Sequence, residues 1–80
     1  MRLDKFLKVS RLIKRRTVAK DFAEHERVTI NGRIAKASSL VNIGDVLEIQ
    51  MGARRIKVEI LDIRENIRAE EAANLYRVIE

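Results

Sequence analysis

The sequence predicts an α+β fold: two N-terminal helices packed on a small, mostly antiparallel sheet, with a short C-terminal helix. Three observations predict it. Leu3, Phe6 and Leu7 recur at i, i+3 and i+4, the spacing of one helical face. Asn31-Gly32 directly follows the β-branched run Val28, Thr29 and Ile30, and this dipeptide favours a two-residue turn because both central residues need positive φ. Ile56, Val58 and Ile60 alternate with charged neighbours, the pattern of a half-buried strand.

The elements follow in order. The first helix, in RLDKFLKVS, turns Lys5 and Lys8 off its apolar stripe, and RLIKRR joins it to a second. Thr17 is placed to cap that second helix by accepting a backbone N–H. Lys20 stands where a Glu would complete a capping box, so the box is absent. The helix runs to about His25, with Val18, Ala19, Phe22 and Ala23 as its buried side. RVTINGRIAK is the hairpin. A Gly44-Asp45 turn then opens a strand with Leu47 and Ile49 on one face, and MGA is a connection of hairpin length before RRIKVEILDI. The end, RAEEAANLYRVIE, has Ala69, Ala72, Ala73 and Tyr76 at helical spacing, and Glu70 and Glu71 suit the positive end of a helix dipole. A helix is expected there, with YRVIE open between helix and strand.

Eighty residues without a proline, a linker-type stretch or a repeat read as a single domain, 1–80. So short a chain has little room for a deep substrate cavity and the shell that supports a catalyst. It has no cysteine, which removes disulfides, thiolate nucleophiles and Cys-based metal sites and fits a reducing compartment. No apolar run approaches the ~20 residues of a membrane span, and Asp4, Lys5 and Lys8 interrupt any signal-peptide stretch. A cytoplasmic protein with no membrane partner is expected.

Nucleophilic catalysis wants a nucleophile, a base and an orienting group in contact. The one histidine, His25, falls at the predicted end of helix two, where it interacts with the helix dipole. Ser10, Ser38 and Ser39 sit beside capping or turn positions, and Asp4 lies in a helix first turn, where Asp is favourable. There is no phosphate-binding glycine loop and no His, Asp or Glu cluster at metal-ligand spacing. No enzyme, no cofactor and no metal are expected.

The charge is lopsided instead. Residues 1–40 carry 11 Lys or Arg against 4 Asp or Glu, a net of +7; residues 41–80 carry 6 against 8, a net of −2. Arg2, Lys5, Lys8, Arg11, Lys14, Arg15, Arg16 and Lys20 are opposed within their stretch only by Asp4, and Arg33 and Lys36 can extend the surface from the hairpin. Thr17 adds the backbone N–H groups of a helix start, which favour a phosphate. This is the footprint of a nucleic-acid binder. VAKDFAEHE is acidic in its second half and makes a poor duplex-reading helix. Both Phe lie on predicted core faces, which leaves a stacking platform poorly supplied. Recognition of phosphate geometry in a structured RNA remains. Arg16→Ala is expected to release RNA with folding unchanged, and Phe22→Ala to cost roughly 3–5 kcal/mol.

RLDKFL, followed by RRTVAKDFAEHERVTINGRIAKASSLVNIGDVLEI, resembles the small RNA-binding domain named after ribosomal protein S-four: two short helices, V-x-I-N-G, then a G-D-x-[IL]-x-[IV] strand. The resemblance covers about residues 2–50 as the core and leaves 51–80 as a C-terminal strand and helix extension. It implies an αL-type RNA-binding fold that grips structured RNA through Arg2, Lys5, Arg11, Arg15, Arg16, Thr17 and Lys20, with Arg33 and Lys36 after the hairpin. Glu26 departs from the pattern, which has Gly there to end helix two in a left-handed turn.

Over its full length, from MRLDKFLKVSRLIKRR to EEAANLY, the chain resembles the RqcP family of stand-alone proteins of this type, relatives of the fifteen-kilodalton heat-shock protein. That resemblance implies a factor of ribosome-associated quality control, and a monomer is expected. Its partners would be rRNA and peptidyl-tRNA on obstructed large ribosomal subunits and an RqcH-type tailing factor that adds C-terminal alanine. The alternatives are a general large-subunit or tRNA-binding factor like the heat-shock relative, the RNA-binding accessory of a separate RNA-modifying enzyme, and a binder of an acidic protein.

Overall fold

A computed structural model describes residues 1–79; Glu80, the last residue of the terminal segment, lies outside the described residues. The chain order is α1 (Leu3–Val9), α2 (Arg16–Glu24), β1 (Val28–Ile30), β2 (Arg33–Ile34), β3 (Val46–Met51), β4 (Arg54–Ile60), a 3-10 helix (Ala69–Leu75) and β5 (Tyr76–Val78). The five strands form one sheet in the order β2-β1-β3-β4-β5, every pair antiparallel.

The register explains the alternation read from the sequence. Val28 stands opposite Ile49, and Leu47 opposite both Ile30 and Val58, so their side chains share one face with Ile60. Val28, Leu47, Ile49, Val58 and Ile60 are fully buried there, against Leu3, Phe6 and Leu7 of α1. The opposite face carries Glu48 and Glu59, and both are paired. Arg77 donates to Glu59 at 2.6 Å, and Glu48 lies 3.7 Å from Arg55.

Asn31 (φ 52) and Gly32 (φ 83) form the predicted turn, with positive φ at both central positions. Asn31 also ties the two sequence motifs together. Its Oδ1 accepts from the Val46 N–H at 2.9 Å, and its Nδ2 donates to Asp45 at 3.0 Å.

Four expectations are corrected. Helix α2 begins at Arg16, with Arg15 at the cap position, so Thr17 lies inside the first turn and caps nothing. Ile13, buried in the core from the connection, and the Arg16–Asp4 contact anchor the chain on either side of Arg15, and the first turn closes on the Arg15 carbonyl, which accepts from the Ala19 N–H at 3.0 Å. The buried side of α2 is narrower than expected: Ala19 and Ala23 are buried, Phe22 is half-buried, and Val18 is 38% exposed. Two alanines four residues apart let the helices approach closely, which leaves the flanking positions at the rim. The C-terminal helix is of 3-10 type, three residues per turn, so Ala72 and Leu75 are buried while Ala69 and Ala73 face solvent. Finally, the end favours strand over helix: β5 (Tyr76–Val78) pairs Val78 with Val58 and Tyr76 with Ile60, and Glu80 lies outside the described residues.

Helix α2 ends in a Schellman motif. The Glu26 N–H donates to the Ala23 carbonyl at 3.1 Å and the Arg27 N–H to the Phe22 carbonyl at 2.9 Å. The Arg27 guanidinium also lies over the Phe22 ring, 5.5 Å from its centre. Glu26 adopts the left-handed conformation (φ 59) that the motif demands, so the turn is kept and the strain accepted. Glu26→Gly is therefore expected to stabilise the fold by about 1 kcal/mol, raising the melting temperature by about 4–8 °C. A thermal melt with no rise would show that the strain is relieved elsewhere.

Candidate nucleic-acid interface

The basic face is built around a buried carboxylate. Asp4 lies in the first turn of α1 and is 3% exposed. Its Oδ1 accepts from the Lys5 N–H at 2.8 Å, from Arg2 Nε at 3.2 Å and from Arg16 Nη2 at 3.4 Å, while Oδ2 accepts from Arg2 Nη2 at 3.3 Å. One aspartate thus holds two arginines that lie fourteen positions apart, one before α1 and one opening α2. Both arginine side chains remain about half exposed, 47% and 48%. The N-terminus of α1 is closed off by backbone: the Leu3 N–H donates to the Ser39 carbonyl at 2.7 Å and the Asp4 N–H to Ala37 at 3.2 Å. At α2, by contrast, the first-turn N–H groups of Arg16, Thr17 and Val18 carry no side-chain cap.

Burial alone would raise the Asp4 carboxyl. The hydrogen bond from Arg16, the charges of Arg16 and Arg2 and the Lys5 N–H outweigh it and hold the group below the ordinary 3.8. A depressed folded-state value stabilises the fold above the unfolded value, and that contribution is lost as pH falls through the folded one. Asp4→Asn should therefore melt below wild type near neutrality, with the gap closing below about pH 4. A gap constant across that range would show that the charge of Asp4 contributes nothing.

The other predicted residues are placed as follows. Lys5 is half-buried and bonds Glu65 at 2.5 Å, and Lys20 lies 3.9 Å from Glu24. Lys8, Arg11, Lys14, Arg15, Arg33 and Lys36 are exposed and, among the described residues, make no ion pair. Arg2, Lys20 and Lys36 meet on a groove of about 490 Å³ between α2 and the segment after β2. Lys8 and Arg11 line a second groove of about 390 Å³. Lys14 lies in the connection between the helices and Arg15 at the cap position of α2, while Arg33 sits on the edge strand β2. His25 caps the end of α2, its Nδ1 donating to the Asp21 carbonyl at 2.7 Å. Among the described residues no group of three His, Cys, Asp or Glu could hold a metal ion, and no helix is long and apolar enough to cross a membrane.

Residues 1–47, which hold α1, α2, the hairpin and the start of β3, match the S4 domain family. This chain belongs to the S4 domain family. Among its relatives is the RQC P-site tRNA stabilizing factor of Halalkalibacterium halodurans, 56% identical over 78 residues, which cover 98% of this chain and 89% of the relative. The factor of the same name from Bacillus subtilis is 51% identical over 80 residues, 100% of this chain and 93% of the relative. The S4 chain thus belongs with the RQC P-site tRNA stabilizing factors, the RqcP family. Among solved structures, heat shock protein 15 of Vibrio cholerae, described as trimeric, superposes with a TM-score of 0.90 at 37% identity, covering 98% of this chain and 80% of that one.

Two further residues belong to the basic face. Asp4, which the sequence presents as a helix-dipole residue, organises Arg2 and Arg16; its signal is its position as the sole acid in a basic stretch. Arg68 lies far from the cluster in sequence and outside the S4 match, but it shares a groove with Lys8 and Arg11. No local pattern marks it.

Proposed function

We propose that this S4 chain is a non-catalytic RNA-binding factor of ribosome-associated quality control. In this reading it binds rRNA and peptidyl-tRNA on obstructed large ribosomal subunits in the cytoplasm. It supports C-terminal alanine tailing with an RqcH-type partner. The observation that carries the reading is near full-length similarity to factors named for stabilising P-site tRNA in this pathway. The geometry supports it. The exposed cations of both helices and of the turn between them suit a phosphate backbone whose shape, rather than base sequence, is recognised. The Asp4-linked arginines are held in place before RNA arrives, which lowers the ordering cost of binding. A single chain carries this face, so a monomer suffices as the binding unit.

The likeness to heat shock protein 15 favours a second reading, a general large-subunit or tRNA-binding factor without a tailing role. Sedimentation of cell extract separates the readings in combination with a tail assay. Under the first, the protein co-migrates with free large subunits and its deletion removes alanine tails from stalled peptides. Co-migration with large subunits or soluble tRNA with tails intact selects the second, and migration with small subunits alone refutes both.

A further inference from the structure

The groove that Lys8 and Arg11 line has a second wall from the C-terminal extension: Glu65, Asn66, Ile67 and Arg68. The Lys5–Glu65 bond of 2.5 Å ties this wall to α1 and leaves Glu65 neutralised. Lys8, Arg11 and Arg68 are exposed and, among the described residues, unpaired. Val9 and Ile67 are half-buried and make the groove's apolar surface. Arg11 sits just past the end of α1 in the left-handed conformation (φ 62), where glycine is the unstrained choice. A long cation kept at a strained position on a groove rim is the kind of outlier that marks binding sites.

We propose that this groove seats one nucleotide of the bound RNA. Its phosphodiester would lie among Lys8, Arg11 and Arg68, its sugar and base edge against Val9 and Ile67, and the Asn66 amide would be its neutral hydrogen-bonding group. Two guanidinium groups from opposite walls match the paired oxygens of a phosphodiester. Arg11 continues directly into the connection that carries Lys14 and Arg15 and leads to Arg16 at the start of α2, so one RNA strand can pass from the α2 start into the groove. The extension is then an RNA-contacting element in its own right. This inference rests on the RNA-binding reading above.

The test is binding of the full chain to purified large-subunit rRNA across a salt series. Arg68→Ala is expected to weaken binding roughly tenfold and to reduce the salt slope by about 1. Arg54→Ala removes the same charge from the β3–β4 hairpin, away from the groove, and should change affinity less than about twofold. Arg11→Gly should weaken binding while raising the melting temperature by about 4 °C or more, a combination that a merely structural arginine does not produce. Equal effects of Arg68→Ala and Arg54→Ala would overturn the groove. Weakening by Arg16→Ala with none by Arg68→Ala would overturn the groove and leave the RNA-binding reading standing, whereas no weakening by either would remove both. Polyglutamate that displaces rRNA from wild type but not from the Arg68 variant would mark a carboxylate site and overturn the nucleotide.

Discussion

Arg15→Ala combined with Arg16→Ala is expected to lower affinity for large-subunit RNA at least a hundredfold. A charge-assisted hydrogen bond is worth about 1.5–3 kcal/mol, and tenfold corresponds to about 1.4 kcal/mol, so two lost contacts account for the effect. The salt slope should fall in magnitude by about 2, from an overall value near −3 to −5 for ~4 to 6 phosphate contacts. The structure changes the folding half of this expectation. Arg16 holds buried Asp4 at 3.4 Å, so Arg16→Ala is not neutral for folding, whereas exposed Arg15 makes no ion pair among the described residues. The half-exposed Arg16–Asp4 pair should contribute up to about 1 kcal/mol, and Arg2 still covers Asp4 once Arg16 is gone. Arg15→Ala is therefore the clean binding probe. Titration of both single variants and the double variant, with thermal melts beside them, measures this. An affinity within about threefold of wild type for the double variant would refute the grip.

Phe6→Ala is expected to be the most damaging single truncation of the helices. Phe6 is fully buried between α1 and the sheet, and removing such a ring costs about 3–5 kcal/mol. A domain of this size holds about 4–12 kcal/mol in all, so the variant is at best marginally folded. Its melting temperature should fall by roughly 12 °C or more. Phe22→Ala, for which the sequence suggests a loss of the same size, should cost only about 1–2 kcal/mol, because its ring is half-buried and covered on one side by Arg27. Circular-dichroism melts of the two variants decide the order. If Phe22→Ala is the worse of the pair, the helices pack by a different face.

The sequence alone determined what depends on neighbours a few residues apart. Leu3, Phe6 and Leu7 are buried as their spacing requires, because a helix brings i, i+3 and i+4 together whatever surrounds it. Asn31-Gly32 turns the chain because its two positive φ angles are cheap for those residues. Leu47, Ile49, Val58 and Ile60 reach the core because strand alternation has a period of two. The concentration of charge in residues 1–40 is likewise a property of composition. Tertiary structure decided the rest. Thr17 lost its capping role because the buried Ile13 and the Arg16–Asp4 contact moved the helix start earlier. Residues 76–78 became a strand because the free edge of β4 offered backbone partners that no local signal displays. The linking of Arg2 to Arg16 through Asp4, the Lys5–Glu65 bond across sixty positions, and the arrival of Arg68 beside Lys8 all require the chain to close on itself. Such juxtapositions are set by the packing of helices on the sheet, which periodicity and turn chemistry limit but do not specify.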